Sequence, residues 1–214
     1  MDIETKQTIL ESLKNSGFYV IRGYFDKETC ARISRLMDSK LSNFSMGDGM
    51  DFRHHNFENE CNDTKKFLND PILQEICDLH MQSPLIKKRC QAGVVSYDPG
   101  NQVCSGGGWH VDKRSKQFKS ILYLSDVTIK SGYFSIIPQS SDKLDLLQSI
   151  PKFEGDNSMT RFSLSELTQK SLIETRINIL GEAGDLILVD TSNIHRGEEI
   201  LEGKRYSLTN YYYN

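Results

Sequence analysis

What the chain lacks narrows it first. None of its 214 residues fall in an apolar run approaching the roughly 20 residues that span a bilayer. The start, Met1 to Thr5, has no basic segment leading into an apolar one, so no secretory signal is expected. Cysteine is scarce: Cys30, Cys61, Cys77, Cys90 and Cys104 are odd in number, and no two form a CxxC pair. That argues against a disulfide framework or a zinc knuckle, and for reduced thiols in a cytoplasmic setting. A basic excess is absent too. Lys and Arg number 26 against 29 Asp and Glu, for a net charge of -3, which argues against a nucleic-acid partner. There is no internal repeat, low-complexity tract or linker. One domain over residues 1–214 is expected, with N-terminal helices (1–82) packing on a β-rich core (84–214).

What is present begins with helix signals. Ile9, Leu10 and Leu13 share a helical face over Ile3 to Asn15, and Gly17 is placed to end that helix as a left-handed cap. Phe18 to Ile21 is β-branched and aromatic and reads as a strand. Asp26 can cap a second helix. Residues 44–60, with Gly47 and Gly49, read as a long polar loop, followed by two short helices, the second opening at Pro71. From Leu85 onward the chain turns to short β-type runs: 85–97, 118–124, 133–137, 172–180, 186–189 and 206–213. A helix-like insert at 142–149 and a possible short helix at 163–170 interrupt them. Strands of this length with Gly, Pro, Asp and Asn between them indicate a β-sandwich or barrel.

The chemistry concentrates in two segments. In an extended strand residues i and i+2 share a face, so His110 and Asp112 would project together, offering an imidazole nitrogen and a carboxylate oxygen. Alone, an HxD tripeptide is a weak signal. The second segment strengthens it. The strand around Leu186 to Val189 runs into a loop ending at His195, and two histidines with one carboxylate are the facial ligand set of non-haem iron(II) oxygenases. If residues 195 and 205 flanked one hairpin centred on Ile200, they would oppose each other, and Arg205 would enter the same cavity. A buried guanidinium beside iron calls for an anion, and the dicarboxylate 2-oxoglutarate supplies one, with Arg205 on its far carboxylate and Ser207 donating a further hydrogen bond. Arg196 would face away in that register. Tyr97 is a further candidate for the co-substrate pocket, its alternative being a core tyrosine. Trp109 reads either as the substrate mouth or as packing, with packing favoured. Lys113, Arg114, Lys116 and Lys119 read as a solvated strand edge rather than an anion-attracting patch. His54, His55 and His80 read as surface or core residues.

These motifs resemble the phytanoyl-CoA dioxygenase family of Fe(II)/2-oxoglutarate-dependent oxygenases. Gly17 to Phe25 resembles its helix-to-strand entry, Trp109 to Asp112 its proximal metal motif, and Ile121 to Val127 the strand that follows. His195 and Arg205 are similar to its distal histidine and co-substrate arginine. Gly132 to Ser141 resembles its NGPL-x-VIPGSH segment, with Gln139 in place of the usual Gly and Ser141 in place of the usual His. The resemblance implies a mainly β double-stranded β-helix (a cupin-like jelly roll) with flanking helices, and Fe(II), 2-oxoglutarate and O2 as cofactors. It also implies a dioxygenase hydroxylating an unactivated C–H bond of a small-molecule substrate, with no nucleic-acid or membrane partner. A halogenase relative would carry a small residue where Asp112 stands. A non-catalytic metal-binding jelly roll, as a sensor or scaffold, is the competing class; Arg205 with Ser207 distinguishes the two.

Overall fold

Three helices are bounded by the caps that the sequence provides. In the computed structural model, which describes residues 2–46, 50–83, 85–100, 108–148 and 161–213, the Asp2 carboxylate accepts from the Thr5 N–H at 2.7 Å and opens α1 (Ile3–Ser16). Gly17 closes it with φ 80°, its N–H reaching Leu13 O. Asp26 caps α2 (Lys27–Ser39) through the Thr29 N–H. Asp70 accepts from the Ile72 and Leu73 N–H groups ahead of α4 (Pro71–Met81), where Pro71 costs nothing because a first-turn N–H has no helical partner. Between them lie β1 (Phe18–Ile21), β2 (Ser45–Met46), β3 (Asp51–His55) and α3 (Asn62–Leu68). The remainder comprises β4 (Lys87–Ser96), β5 (Phe118–Tyr123), β6 (Phe134–Ile136), α5 (Leu164–Gln169), β7 (Ile177–Ile179), β8 (Leu186–Asp190), β9 (His195–Gly197) and β10 (Lys204–Tyr213).

The strands form two antiparallel sheets, a seven-stranded one in the order β1-β8-β5-β10-β4-β3-β2 and a three-stranded one in the order β7-β6-β9. Period-two alternation gives the large sheet two different faces. Leu186, Leu188, Leu122, Leu208 and Tyr212 point to one side, where Ile9, Leu13, Ile33, Met37 and Ile76 of the helices bury against them. Ile187, Val189 and Tyr123 point to the other and pack on Phe134, Ile136 and Ile179 of the small sheet. The Tyr123 hydroxyl ties the sheets together, donating to Ile179 O at 2.9 Å and accepting from the Phe134 N–H at 3.1 Å. This is a jelly roll of antiparallel sheets with α1 to α4 on one flank and α5 in a separate cluster with Trp109 and Ile137.

Several expectations change in the structure. The polar stretch 44–60 is not all loop: Asp51–His55 forms a strand paired with Gln91 to Val95. Its alternating residues Asp51, Arg53 and His55 face a polar cavity rather than an apolar core, so no hydrophobic alternation marked it. Residues 172–180 split into a 3₁₀ turn at Ile173–Thr175 and the short β7. The insert at 142–149 is a single 3₁₀ helix, Ser141–Leu146, with Ser149 outside the described residues. Of the five cysteines, Cys30, Cys61, Cys77 and Cys90 are free, and Cys104 lies outside the described residues. So do Gly47, Gly49, Gly106 and Gly107. Among the described residues no helix is long and apolar enough to cross a membrane. Tyr212 buries its ring at the C-terminal strand, as the alternation of residues 211–213 requires of at least one of them.

Candidate functional site: a metal-ligating triad in a basic cavity

His110 and His195 meet as a bridge between two otherwise separate segments. Each donates its N–H to the other's carbonyl, at 3.0 and 2.9 Å, which sets both imidazoles on one face with ring centroids 4.3 Å apart. Asp112 follows two residues on, its N–H fixed to Thr191 O at 3.0 Å. Both histidines place Nδ1 against a backbone carbonyl, Gly108 O at 2.8 Å for His110 and Asn193 O at 2.9 Å for His195. A carbonyl can only accept, so the proton is held on Nδ1 and the lone pair of Nε2 faces inward, the tautomer a metal ligand needs. His110 Nε2 lies 3.9 Å from Asp112 Oδ1, and His195 Nε2 lies 3.7 Å from Asp112 Oδ2. Two metal–ligand bonds of about 2.1 Å each reach roughly 4.2 Å, so both separations suit one shared cation. All three ligand atoms lie within 4.8 Å of one another.

The electrostatics favour the same protonation states. Burial lowers the His110 pKa to about 3, helped by His195, and burial lowers that of His195 as well, so both rings are neutral near pH 7. Burial alone would raise the Asp112 carboxyl, but Lys119, His195 and His110 outweigh it and hold the group ionised.

The triad opens into a cavity of about 420 Å³ between the two sheets. Arg205 and Ser207 line it, with Tyr123 beside them. The hairpin expected to bring Arg205 there does not exist. His195 is on β9, paired with β6 in the small sheet, whereas Arg205 is on β10, paired with β4 and β5 in the large one. The two residues face each other across the space between sheets, because β9 ends at Gly197 and the chain crosses over before Lys204. Arg205 is 7% exposed; its guanidinium donates to Gly132 O, and its buried Nε has no partner among the described residues. Gly132 is required at that contact. Its φ is +70°, and a Cβ there would lie 2.6 Å from Ile200 Cγ1 and 2.9 Å from Glu198 O. Gly132→Ala is expected to cost roughly 2–4 kcal/mol, combining left-handed strain with overpacking, read as a lowered midpoint in urea unfolding. A change within about 0.5 kcal/mol would show that the turn tolerates a side chain.

Tyr97 is not part of the site. It lies beyond the end of β4, tied by its N–H to Gly203 O, 40% exposed and outside the cavity lining. Trp109 packs with Val111, Ile137 and Phe162, under the Arg196 guanidinium at 5.5 Å, so packing describes it. Arg196 itself pairs with Glu198 away from the cavity. Lys119 overturns the solvated-edge reading. It is 8% exposed and lines the cavity, with Nζ 2.5 Å from Asp112 Oδ2 and 4.4 Å from the centre of the Tyr211 ring. Asp112 outweighs the cost of burial and raises its pKa, so it is charged. Period-two counting along Lys119, Ile121 and Tyr123 would have found it. His55 also lines the cavity, whereas His80 is a core residue bonded to Asp190 at 2.8 Å.

Solved structures share this architecture. The chain is similar in fold to the epimerase SnoN, solved in complex with Fe3+, alpha ketoglutarate and nogalamycin RO. That match has 16% identity and a TM-score of 0.77, covering 100% of this chain and 85% of that one. It is also similar to HygX from Streptomyces hygroscopicus, solved with nickel, 2-oxoglutarate and hygromycin B bound, with 16% identity, a TM-score of 0.66, and 96% and 86% covered. A prolyl-4-hydroxylase from Pseudomonas putida matches with 11% identity, a TM-score of 0.62 and 97% of both chains covered. At these identities the likeness is one of fold. No curated protein matches the chain by sequence. The family description Phytanoyl-CoA dioxygenase (PhyH), however, matches residues 13–205. With nearly the whole chain matched, the protein belongs to the phytanoyl-CoA dioxygenase family.

Proposed function

We propose that the chain is a single-domain Fe(II)- and 2-oxoglutarate-dependent dioxygenase that hydroxylates an unactivated C–H bond of a small-molecule substrate. One observation carries the reading: two neutral imidazoles and a carboxylate converge at a cavity whose wall also holds a buried guanidinium. The donor set fits iron(II), since two histidines and one carboxylate leave open positions for other ligands. The Arg205 guanidinium fits a dicarboxylate, because its Nε has no partner among the described residues and a fork of N–H donors matches a carboxylate.

In this reading His110, Asp112 and His195 hold the metal. The carbonyls of Gly108 and Asn193 keep the two imidazole protons at Nδ1, so neither ring turns its N–H toward the ion. Arg205 binds the far carboxylate of 2-oxoglutarate, and Ser207, two residues along the same face, donates to it. Bound iron(II) and 2-oxoglutarate supply the oxidation, with O2 as oxidant. The apolar wall of Val111, Ile121 and Phe134 restricts water around the reacting centre. Asp112 supplies the carboxylate ligand, which favours oxygenation over halogenation.

Lys119 pairs with the Asp112 carboxylate, and a divalent cation held by the triad would take over that charge. Lys119→Met is therefore expected to destabilise the protein without metal by about 2–3 kcal/mol, below the roughly 3–5 kcal/mol for breaking a fully buried pair, because 24% of the Asp112 side chain stays exposed. Nickel(II) should recover most of that loss in urea unfolding. An equal loss with and without the metal would contradict this role. The function itself is tested by succinate release on adding iron(II), 2-oxoglutarate and O2 to the purified protein. Metal-dependent succinate is the expected result. None above the protein-free control, with or without candidate substrates, would count against an enzyme.

A further inference from the structure

The cavity carries more positive charge than the co-substrate uses. Among the described residues five cationic side chains line it, Arg53, Arg89, Lys119, Arg161 and Arg205, against the two carboxylates of Asp51 and Asp112. Asp51 pairs with Arg53 at 2.6 Å, and Asp112 with Lys119 at 2.5 Å. Arg89 and Arg161 are cations beyond these two pairs and Arg205. A dipositive metal and a dianionic co-substrate add no net charge, so the surplus survives loading of the site.

Of these cations, Arg89 lies at the end of the cavity away from Arg205. On β10 Arg205 sits opposite Val95 of β4, and Tyr211 sits opposite Arg89. Six residues of strand separate the two positions, roughly 20 Å at about 3.3 Å per residue. The five-carbon chain of 2-oxoglutarate has four C–C bonds of about 1.5 Å and extends roughly 5 Å between its end carbons. With one end on the metal and the other on Arg205, it does not extend to Arg89. The Arg89 guanidinium is already oriented, 5.1 Å from the centre of the Tyr211 ring and 5.7 Å from that of Tyr213, and its buried Nε has no partner among the described residues. Stacking on aromatic rings holds the plane of a guanidinium and leaves its edge to bind an oxyanion bidentately. Arg161 adds a second cation beside the triad, since its backbone bridges to His110.

We propose that Arg89, with Arg161, forms a substrate subsite for an oxyanion, so that the substrate is a small molecule bearing a carboxylate or a phosphate. This rests on the oxygenase reading, which assigns Arg205 to the co-substrate. The subsite sets specificity: it binds the anionic end and leaves the rest of the substrate near the metal and the apolar wall.

The test compares probes of one size and different charge on the nickel(II)- and 2-oxoglutarate-loaded protein at fixed low ionic strength. The probes are butanoate, butanamide and methyl phosphate, titrated by ligand-observed NMR. The proposal expects at least one anion to bind tenfold or more tightly than butanamide, and the tighter of the two anions identifies the group recognised. Arg89→Gln should reduce that preference at least tenfold while the Kd of 2-oxoglutarate stays within twofold, and Arg89→Lys should retain part of it. Equal binding of all three probes to the unaltered protein overturns the proposal. So does a full preference retained in both Arg89→Gln and Arg161→Gln, the second variant guarding against misfolding of the first. Failure of 2-oxoglutarate to bind the nickel-loaded protein is a separate readout, and it contradicts the oxygenase reading instead. In that case the probe preference is read without 2-oxoglutarate against the same criteria.

Discussion

Replacing His195 with alanine is expected to weaken divalent metal binding by more than about 100-fold. Losing a residue that merely orients a ligand already costs 10–100-fold, and His195 supplies a donor atom itself. Metal-dependent succinate formation should fall to background with it. The effect should exceed what lost stability explains. His195 is 4% exposed and bonded through Nδ1 to Asn193 O, so truncation also costs about 2–3 kcal/mol of folding free energy. Metal retained after dialysis, measured on protein that is still folded by circular dichroism, separates the two. A folded His195→Ala protein that keeps one equivalent of metal would place the site elsewhere.

The second large effect concerns Arg205. Arg205→Met is expected to raise the Kd of 2-oxoglutarate at least about 30-fold, since truncating one partner of a buried charge pair costs 2 kcal/mol or more. Metal affinity should be unchanged, because Arg205 lies on the opposite sheet from His195. The unliganded protein should be as stable as before or slightly more so. Burial lowers the Arg205 pKa, and among the described residues its Nε has no partner, so a methionine of similar length removes a charge that burial disfavours. Lost co-substrate affinity together with a retained or raised Tm is the signature of a binding arginine. A structural arginine would lower the Tm and leave 2-oxoglutarate binding alone.

Residues whose signal is local could be read from the chain. The HxD spacing needs only the two-residue repeat of an extended segment, and the helix-boundary signals at Gly17, Asp26 and Pro71 act within a few residues. The β-rich second half was legible because turn residues punctuate apolar runs. Residues whose environment is set by distant strands were harder. The strand Asp51–His55 shows charge instead of hydrophobic alternation because it faces a charged cavity. Lys119 reads as surface until Asp112 is known to lie beside it. Arg205 was placed in the cavity by a hairpin that is not there; the jelly-roll crossover between sheets puts it there instead. Tyr97 failed for the opposite reason, since a strand end one residue earlier turns it out of the cavity.

The most direct measurement is an anaerobic titration of iron(II)-loaded protein with 2-oxoglutarate, followed by the visible metal-to-ligand charge-transfer band. A band that saturates at one equivalent, disappears in Asp112→Ala and shifts to far higher concentration in Arg205→Met is the predicted result. No band in the unaltered protein with iron bound, or the same titration curve in all three proteins, would contradict it.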